Sequence, residues 1–276
     1  MLLEEFSKED FEIEGADGLP IVGDITYANS YPDFLVIFAH GFKGFKDWGT
    51  HQLMANFFVQ NGIYFLKFNF SHSGVKPTDL SDINDLETFS LNTPSKELYD
   101  LNQILDFAVQ KFPKVKIALL GHSRGGALSI LQAARDKRVV KLITWAAIGS
   151  FRNLWKLEDE KEWKKNGVKY ILNGRTKEQM PLSVALLEDV LNHEEEFDLN
   201  TAAQSLNKPW LIAQGTKDPA VKVSVAENFH QLQPQSQLLI IEGGDHVFGA
   251  THPYQKEELP NHLQEFLQYS VDFIKQ

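Results

Sequence analysis

Short apolar runs alternate with amphipathic stretches along most of this chain. Phe11–Glu14 and Ile21–Ile25 alternate apolar with polar residues around Gly15-Ala16-Asp17-Gly18, a pattern that predicts an edge hairpin. Phe34–Ala39 and Ile63–Phe68 are continuous apolar runs, as in strands covered on both faces. Val115–Leu120, Val140–Ala147, Trp210–Ala213 and Gln237–Ile241 read as further strands. Helices are predicted at Thr50–Asn61, closed by Gly62, and from Pro94, where Leu98, Leu101, Ile104, Leu105 and Ala108 fall at helical spacing. Ala127–Ala134, Val223–Leu232 and Leu259–Ile274 complete the helices. Such alternation predicts an α/β fold: a mostly parallel eight-stranded sheet with helices on both faces and an antiparallel hairpin at one edge.

Residues 150–206 break this rhythm. Charged and aromatic residues mix there, no strand-like run stands out, and the segment is too long for a simple crossover. It reads as a small helical lid inserted over the carboxyl edge of the sheet, dividing a core of residues 1–149 and 207–276. Trp155, Met180 and Leu182 are its candidates for a substrate-pocket wall, with Trp163 and Leu186 beside them. A longer surface helix with loops is the plainer alternative.

Gly121-His122-Ser123-Arg124-Gly125-Gly126 lies between the Val115–Leu120 strand and the helix that follows. A serine at a sharp strand-to-helix turn projects above the sheet, and the next N–H points at the same spot from a helix N-terminus. The bare pattern is weak, and a tight turn without chemistry is the alternative; the flanking strand and helix strengthen it. A serine hydroxyl needs a general base, usually an oriented histidine. His246 follows the last strand on a loop at the edge where Ser123 sits, with His252 as runner-up. His51, His193, His230 and His262 read as surface residues. Asp218, after Gln214-Gly215-Thr216-Lys217, is the candidate carboxylate, although Asp before Pro219 also suits an Asx-turn. The order Ser, Asp, His is the one tied to this type of turn. An oxyanion needs two donors, and the Arg124 and Phe42 N–H groups are the candidates.

Composition narrows the classes. The chain has 276 residues, 43% of them hydrophobic, enough for a sizeable core. Its net charge of −10 argues against nucleic acid and anionic membranes as partners. It has no cysteine, so disulfides and a thiolate nucleophile are excluded. Met1–Asp10 is acidic and lacks the pattern of a signal peptide, and no apolar run reaches the length of a membrane span, so a cytoplasmic place is expected. His193-Glu194-Glu195-Glu196 reads as a charge run on an exposed helix rather than a metal site, and no phosphate-binding loop is present.

His40-Gly41-Phe42, the Gly121–Gly126 turn, Gly215-Thr216-Lys217-Asp218 and Gly244-Asp245-His246 together resemble the α/β-hydrolase superfamily in order and spacing, over nearly the whole chain from Phe11 to Ile274. Within it the chain is similar to bacterial single-domain esterases, including the cinnamoyl and feruloyl esterase-like group and relatives of dienelactone hydrolase. The resemblance implies Ser123 as nucleophile, His246 as base, Asp218 as acid, Phe42 and Arg124 N–H groups as oxyanion hole, and no cofactor. Asn69 stands where such esterases often carry an acid, in the turn that includes His72, and dienelactone hydrolases proper use a cysteine nucleophile. Three functions are expected, in this order: a serine hydrolase of small-molecule carboxylic esters, an amide- or peptide-bond hydrolase with the same residues, and a binding module that has lost turnover.

Overall fold

The computed structural model describes residues 6–276, so the first half of the acidic Met1–Asp10 stretch lies outside the described residues. An antiparallel hairpin opens the fold, β1 (Ser7–Glu14) with β2 (Pro20–Tyr27). Then come β3 (Phe34–Ala39), α1 (His51–Gln60), β4 (Tyr64–Asn69), the short α2 (Leu86–Ser90), α3 (Pro94–Lys111), β5 (Lys116–His122), α4 (Arg124–Arg135) and β6 (Val139–Trp145). After residues 150–206 the chain returns through β9 (Trp210–Gly215), α8 (Val223–Leu232), β10 (Gln237–Ile241) and α9 (Asn261–Lys275). The eight strands form one sheet in the order β1-β2-β4-β3-β5-β6-β9-β10, parallel from β4 to β10.

Period-two alternation divides the core into two layers. In β3, Leu35, Ile37 and Ala39 face one layer, where α3 and α4 also pack; Val36 and Phe38 face the other, with α1 and α9. In β5, Ile117 and Leu119 join the first layer and Ala118 and Leu120 the second. Each fully buried aliphatic side chain contributes roughly 1.5–3 kcal/mol, so these runs fix the sheet. The chain leaves β3 toward β4 on one side and later returns to pair β5 on the other. The carboxyl ends of β3 and β5 therefore form a topological switch point, where open α/β sheets hold ligands.

Residues 150–206 depart from the expectation of a purely helical insertion. Besides α5 (Glu160–Asn166), α6 (Val184–Asn192) and α7 (Leu199–Ser205), they contain a second, two-stranded antiparallel sheet of β7 (Val168–Leu172) and β8 (Gln179–Ser183). Val168, Tyr170 and Ile171 suit a half-buried pleated surface. Polar neighbours and the Asn173–Glu178 turn leave runs too short to stand out in the sequence. The charge run Glu194–Glu196 sits in the turn after α6 rather than on a helix. No helix among the described residues is long and apolar enough to cross a membrane.

Candidate active site

Ser123 sits between β5 and α4 with φ 54° and ψ −116°, a conformation that costs a non-glycine residue of order 1–3 kcal/mol. Its neighbours explain how the turn closes. A methyl group at Gly125 would overlap the carbonyl oxygens of Ala39 and His40, and one at Gly121 would overlap the Gly125 carbonyl. Glycine is the residue that lets strand and helix approach this closely. The Ser123 N–H is anchored on the Trp145 carbonyl at 2.8 Å. Arg124 is the first helical residue, so its N–H lacks a partner in the helix ladder. A Cβ at Gly41 would lie 3.1 Å from that of Ser123, which places the Gly41-Phe42 loop against the serine.

Strand register brings the other two residues to the same edge. Ala39 pairs Gly121, Trp145 pairs Ala213, and Ile241 pairs Gly215, so the loops that follow leave the sheet side by side. Gly215 lies so close to Gly244 that a side chain there would overlap the Gly244 carbonyl, and Lys217 N–H donates to that oxygen at 2.9 Å. This contact sets Asp218 beside His246. His246 Nδ1 donates to Asp218 Oδ2 at 2.8 Å, which leaves Nε2 as the acceptor for the Ser123 hydroxyl at 3.0 Å.

Asp218 is saturated with donors. Oδ1 accepts from Ala220 N–H at 2.7 Å and Val221 N–H at 2.9 Å, and Oδ2 accepts from Gln214 Nε2 at 2.9 Å as well as from His246. Burial works to raise its carboxyl. The hydrogen bond and charge of His246, with the two loop amides, outweigh burial and hold it below the usual carboxylate value. Gln214 also donates to the Val221 carbonyl at 3.1 Å, so it braces both ends of the acid loop. Sequence reading missed it; the signal was a polar residue ending an otherwise apolar buried strand.

His122 occupies the variable position of the turn, to which the sequence pattern gives no role. It is buried, its Nε2 donates to the His246 carbonyl at 2.9 Å, and its ring lies 4.2 Å from that of Trp145. Burial drives its pKa well below that of an ordinary histidine, so it stays neutral and fixes the His246 main chain.

His252, the runner-up base, and Asp245, the carboxylate next to His246, are occupied elsewhere. His252 Nδ1 accepts from Gly49 N–H at 2.9 Å. Asp245 Oδ1 accepts from Val247 and Gly249 N–H and closes its own turn. His51 was expected at the surface. It is buried instead, because α1 turns it toward Phe38, 4.6 Å between ring centres. Asn69 accepts from Lys46 N–H at 2.7 Å and so ties β4 to the segment after Phe42; nearby, buried Asp24 takes the charges of Lys46 and Lys67.

Two cavities meet at Ser123 and His246. One, about 270 Å³, is lined by Phe42, Trp145 and residues of the β7–β8 turn. The other, about 1190 Å³, is lined on its outer side by Leu154, Trp155, Leu157 and Ile171. Trp155 lines this larger cavity. Met180 and Leu182 do not: alternation in β8 points both inward, where they are buried in the main core. Among the described residues no cluster of His, Asp and Glu is disposed to hold a metal ion.

Residues 30–172, just over half of the chain, match the sequence model of the family described as serine aminopeptidase, S33. The chain belongs to this family. Residues 151–253 match the model of the α/β-hydrolase fold, so this S33-family chain is an α/β-hydrolase in sequence as in topology. Solved structures agree on the fold. Est1E from Butyrivibrio proteoclasticus with bound ferulic acid superposes with a TM-score of 0.72 at 19% identity, over 96% of this chain and 100% of that one. Dienelactone hydrolase from Anabaena variabilis gives 0.63 at 14% identity, over 98% and 97%. A curated relative, the biotin biosynthesis bifunctional protein BioHC of Cellvibrio japonicus, is 27% identical over 213 residues. That match spans 66% of this chain and 41% of the relative's length.

Proposed function

We propose that this hydrolase cleaves carboxylic esters through an acyl-enzyme, with Ser123, His246 and Asp218 as its triad. The observation that carries the reading is the continuous chain of hydrogen bonds from Asp218 through His246 to Ser123 Oγ, opening on two cavities. Ser123 Oγ attacks the acyl carbon while its proton passes to His246 Nε2. Asp218 stabilises the imidazolium and holds its tautomer. The negative oxygen of the tetrahedral intermediate lies against the Phe42 and Arg124 N–H groups. His246 gives its proton to the departing alkoxide oxygen as the C–O bond breaks. Water, deprotonated by His246, then attacks the acyl carbon and releases Ser123 and the acid. Residues 150–206 act as a cap that forms the outer cavity wall.

The family description favours a second reading, removal of an N-terminal residue from a peptide. Such a substrate presents a free ammonium, which a carboxylate would normally hold. Among the described residues no Asp or Glu lines either cavity. That absence of a counter-charge supports esters over free peptide N-termini. The test is covalent labelling by a fluorophosphonate probe, then comparison of matched ester and amide substrates. Labelling at Ser123 with preference for the ester is expected. A folded protein that takes no label overturns the catalytic reading.

A further inference from the structure

Chain charge and cavity charge have opposite signs here. The protein carries 37 acidic against 27 basic side chains. Yet among the described residues the Lys, Arg, Asp and Glu side chains lining the two cavities beside Ser123 are all cations: Lys43 and Arg175 in the smaller, Lys43, Arg152 and Lys222 in the larger. Two of the four are already neutralised. Arg175 pairs with Asp82 at 2.6 Å, and Arg152 with Glu160 at 2.9 Å and Glu194 at 2.8 Å. Lys222 is exposed and solvated.

Lys43 differs from all three. It lines both cavities, directly after Phe42 on the loop packed against Ser123. It is partly buried, and among the described residues no carboxylate lies within ion-pair reach. Its Nζ lies 5.9 Å from the centroid of the Phe42 ring, at the outer limit for a cation over an aromatic face. Its backbone is held at φ 60°, in the left-handed region where lysine is uncommon. Burial alone pushes its ammonium below the usual lysine value, with nothing opposing it. A strained, partly desolvated cation left unpaired at the mouth of the site is a group awaiting a counter-charge.

We infer that Lys43 selects substrates bearing a carboxylate close to the scissile ester. The inference rests on the ester-hydrolase reading and adds the substrate class. Since Lys43 faces both cavities, the carboxylate sits on either the acyl or the alcohol half, and the two arms of the test separate them.

The experiment measures kcat/KM for two substrate pairs. Para-nitrophenyl hydrogen adipate against its methyl ester puts the charge on the acyl side. Para-acetoxybenzoate against its methyl ester puts it on the alcohol side. The native protein should favour the charged member of one pair. In Lys43→Met that charged-to-neutral ratio should fall about tenfold or more, the size expected when a hydrogen bond to a charged group is lost. Lys43→Arg should largely restore it. Lys137→Met, an equal change of net charge at an exposed site on the opposite edge of the sheet, should not move it. Unchanged ratios in both pairs overturn the inference. Ser123→Ala protein provides a second readout by calorimetry: it should bind the charged member more tightly, and Lys43→Met in that background should remove the difference. Equal affinities there also overturn it. Failure of Ser123 to take the fluorophosphonate label counts against the ester-hydrolase reading instead.

Discussion

At the carboxyl edge of the sheet, each polar atom that touches the serine is held by others. Asp218 accepts four hydrogen bonds, His246 is fixed at Nδ1 and at its carbonyl, and Gly121, Gly125 and Gly215 allow backbone contacts that a side chain would prevent. Across the cavity, the insertion is held differently. Trp163, Met180, Leu182, Leu186 and Leu187 dock it in the apolar core, while Leu157, two-thirds exposed, and Ile171 face the cavity with few constraints. One side is set by directional bonds that tolerate little displacement; the other is set by burial that tolerates repacking. The comparison predicts that the edge governs rate and that the insertion governs choice.

Ser123→Ala should test the edge most severely. Loss of a working nucleophile typically removes about a million-fold in kcat, roughly 8 kcal/mol of barrier. Retention of a tenth of native ester turnover would mean the reacting group lies elsewhere. Asp218→Asn comes next, with a fall of about ten-thousand-fold in kcat and little change in binding, because His246 loses its tautomer. If Asp245→Asn proved the damaging change instead, the acid has been misplaced.

Met180→Ala moves the comparison to the insertion. A buried methionine cut to alanine costs about 2–5 kcal/mol. Chemical denaturation should show that loss while the ratio of kcat/KM between short and bulky esters stays put. A changed ratio with stability intact would sink the division between docking and lining residues.

The edge also carries an acid sensitivity. Burial lowers His40 to about 4 and His51 to about 3, so both stay neutral in the fold. The unfolded chain binds protons near pH 6.5 and the folded one does not, so stability present above that pH is lost as pH falls. Each histidine adds a slope of up to ~1.4 kcal/mol per pH unit between about 6.5 and its folded value. Tm should drop steadily on acidification, and His51→Gln, which removes one such proton sink, should flatten the curve. An unaltered slope counts against a buried neutral His51.

The smallest effect is expected at Leu157→Ala. An exposed lining residue should shift acyl-size preference by only a few-fold, under about 1 kcal/mol, with Tm within about a degree. Equal effects on every ester would show that Leu157 does not touch substrate.

Much of this molecule was legible along the chain. Phe34–Ala39, Val223–Leu232 and Gln237–Ile241 match β3, α8 and β10 to the residue, because short apolar runs and helical periodicity are local signals. Ser123, Asp218 and His246 could be named because glycine-rich turns at strand ends mark where a chain leaves the sheet. The insertion was harder. β7 and β8 are short, and their stability comes from the core they cover, so their type was decided by packing rather than propensity.

What sequence alone determined was therefore the order of the eight main-sheet strands and of the long helices outside residues 150–206, and the three residues that meet at the carboxyl edge of the sheet. Tertiary structure decided what depends on direction and on distant neighbours. Alternation in β8 sent Met180 and Leu182 into the core, and α1 buried His51 against Phe38. Gln214 was placed under Asp218, and among the described residues no carboxylate pairs with Lys43. Periodicity records whether a position is covered. What covers it, and whether a charge finds its partner, is settled only when residues far apart in the chain are brought together.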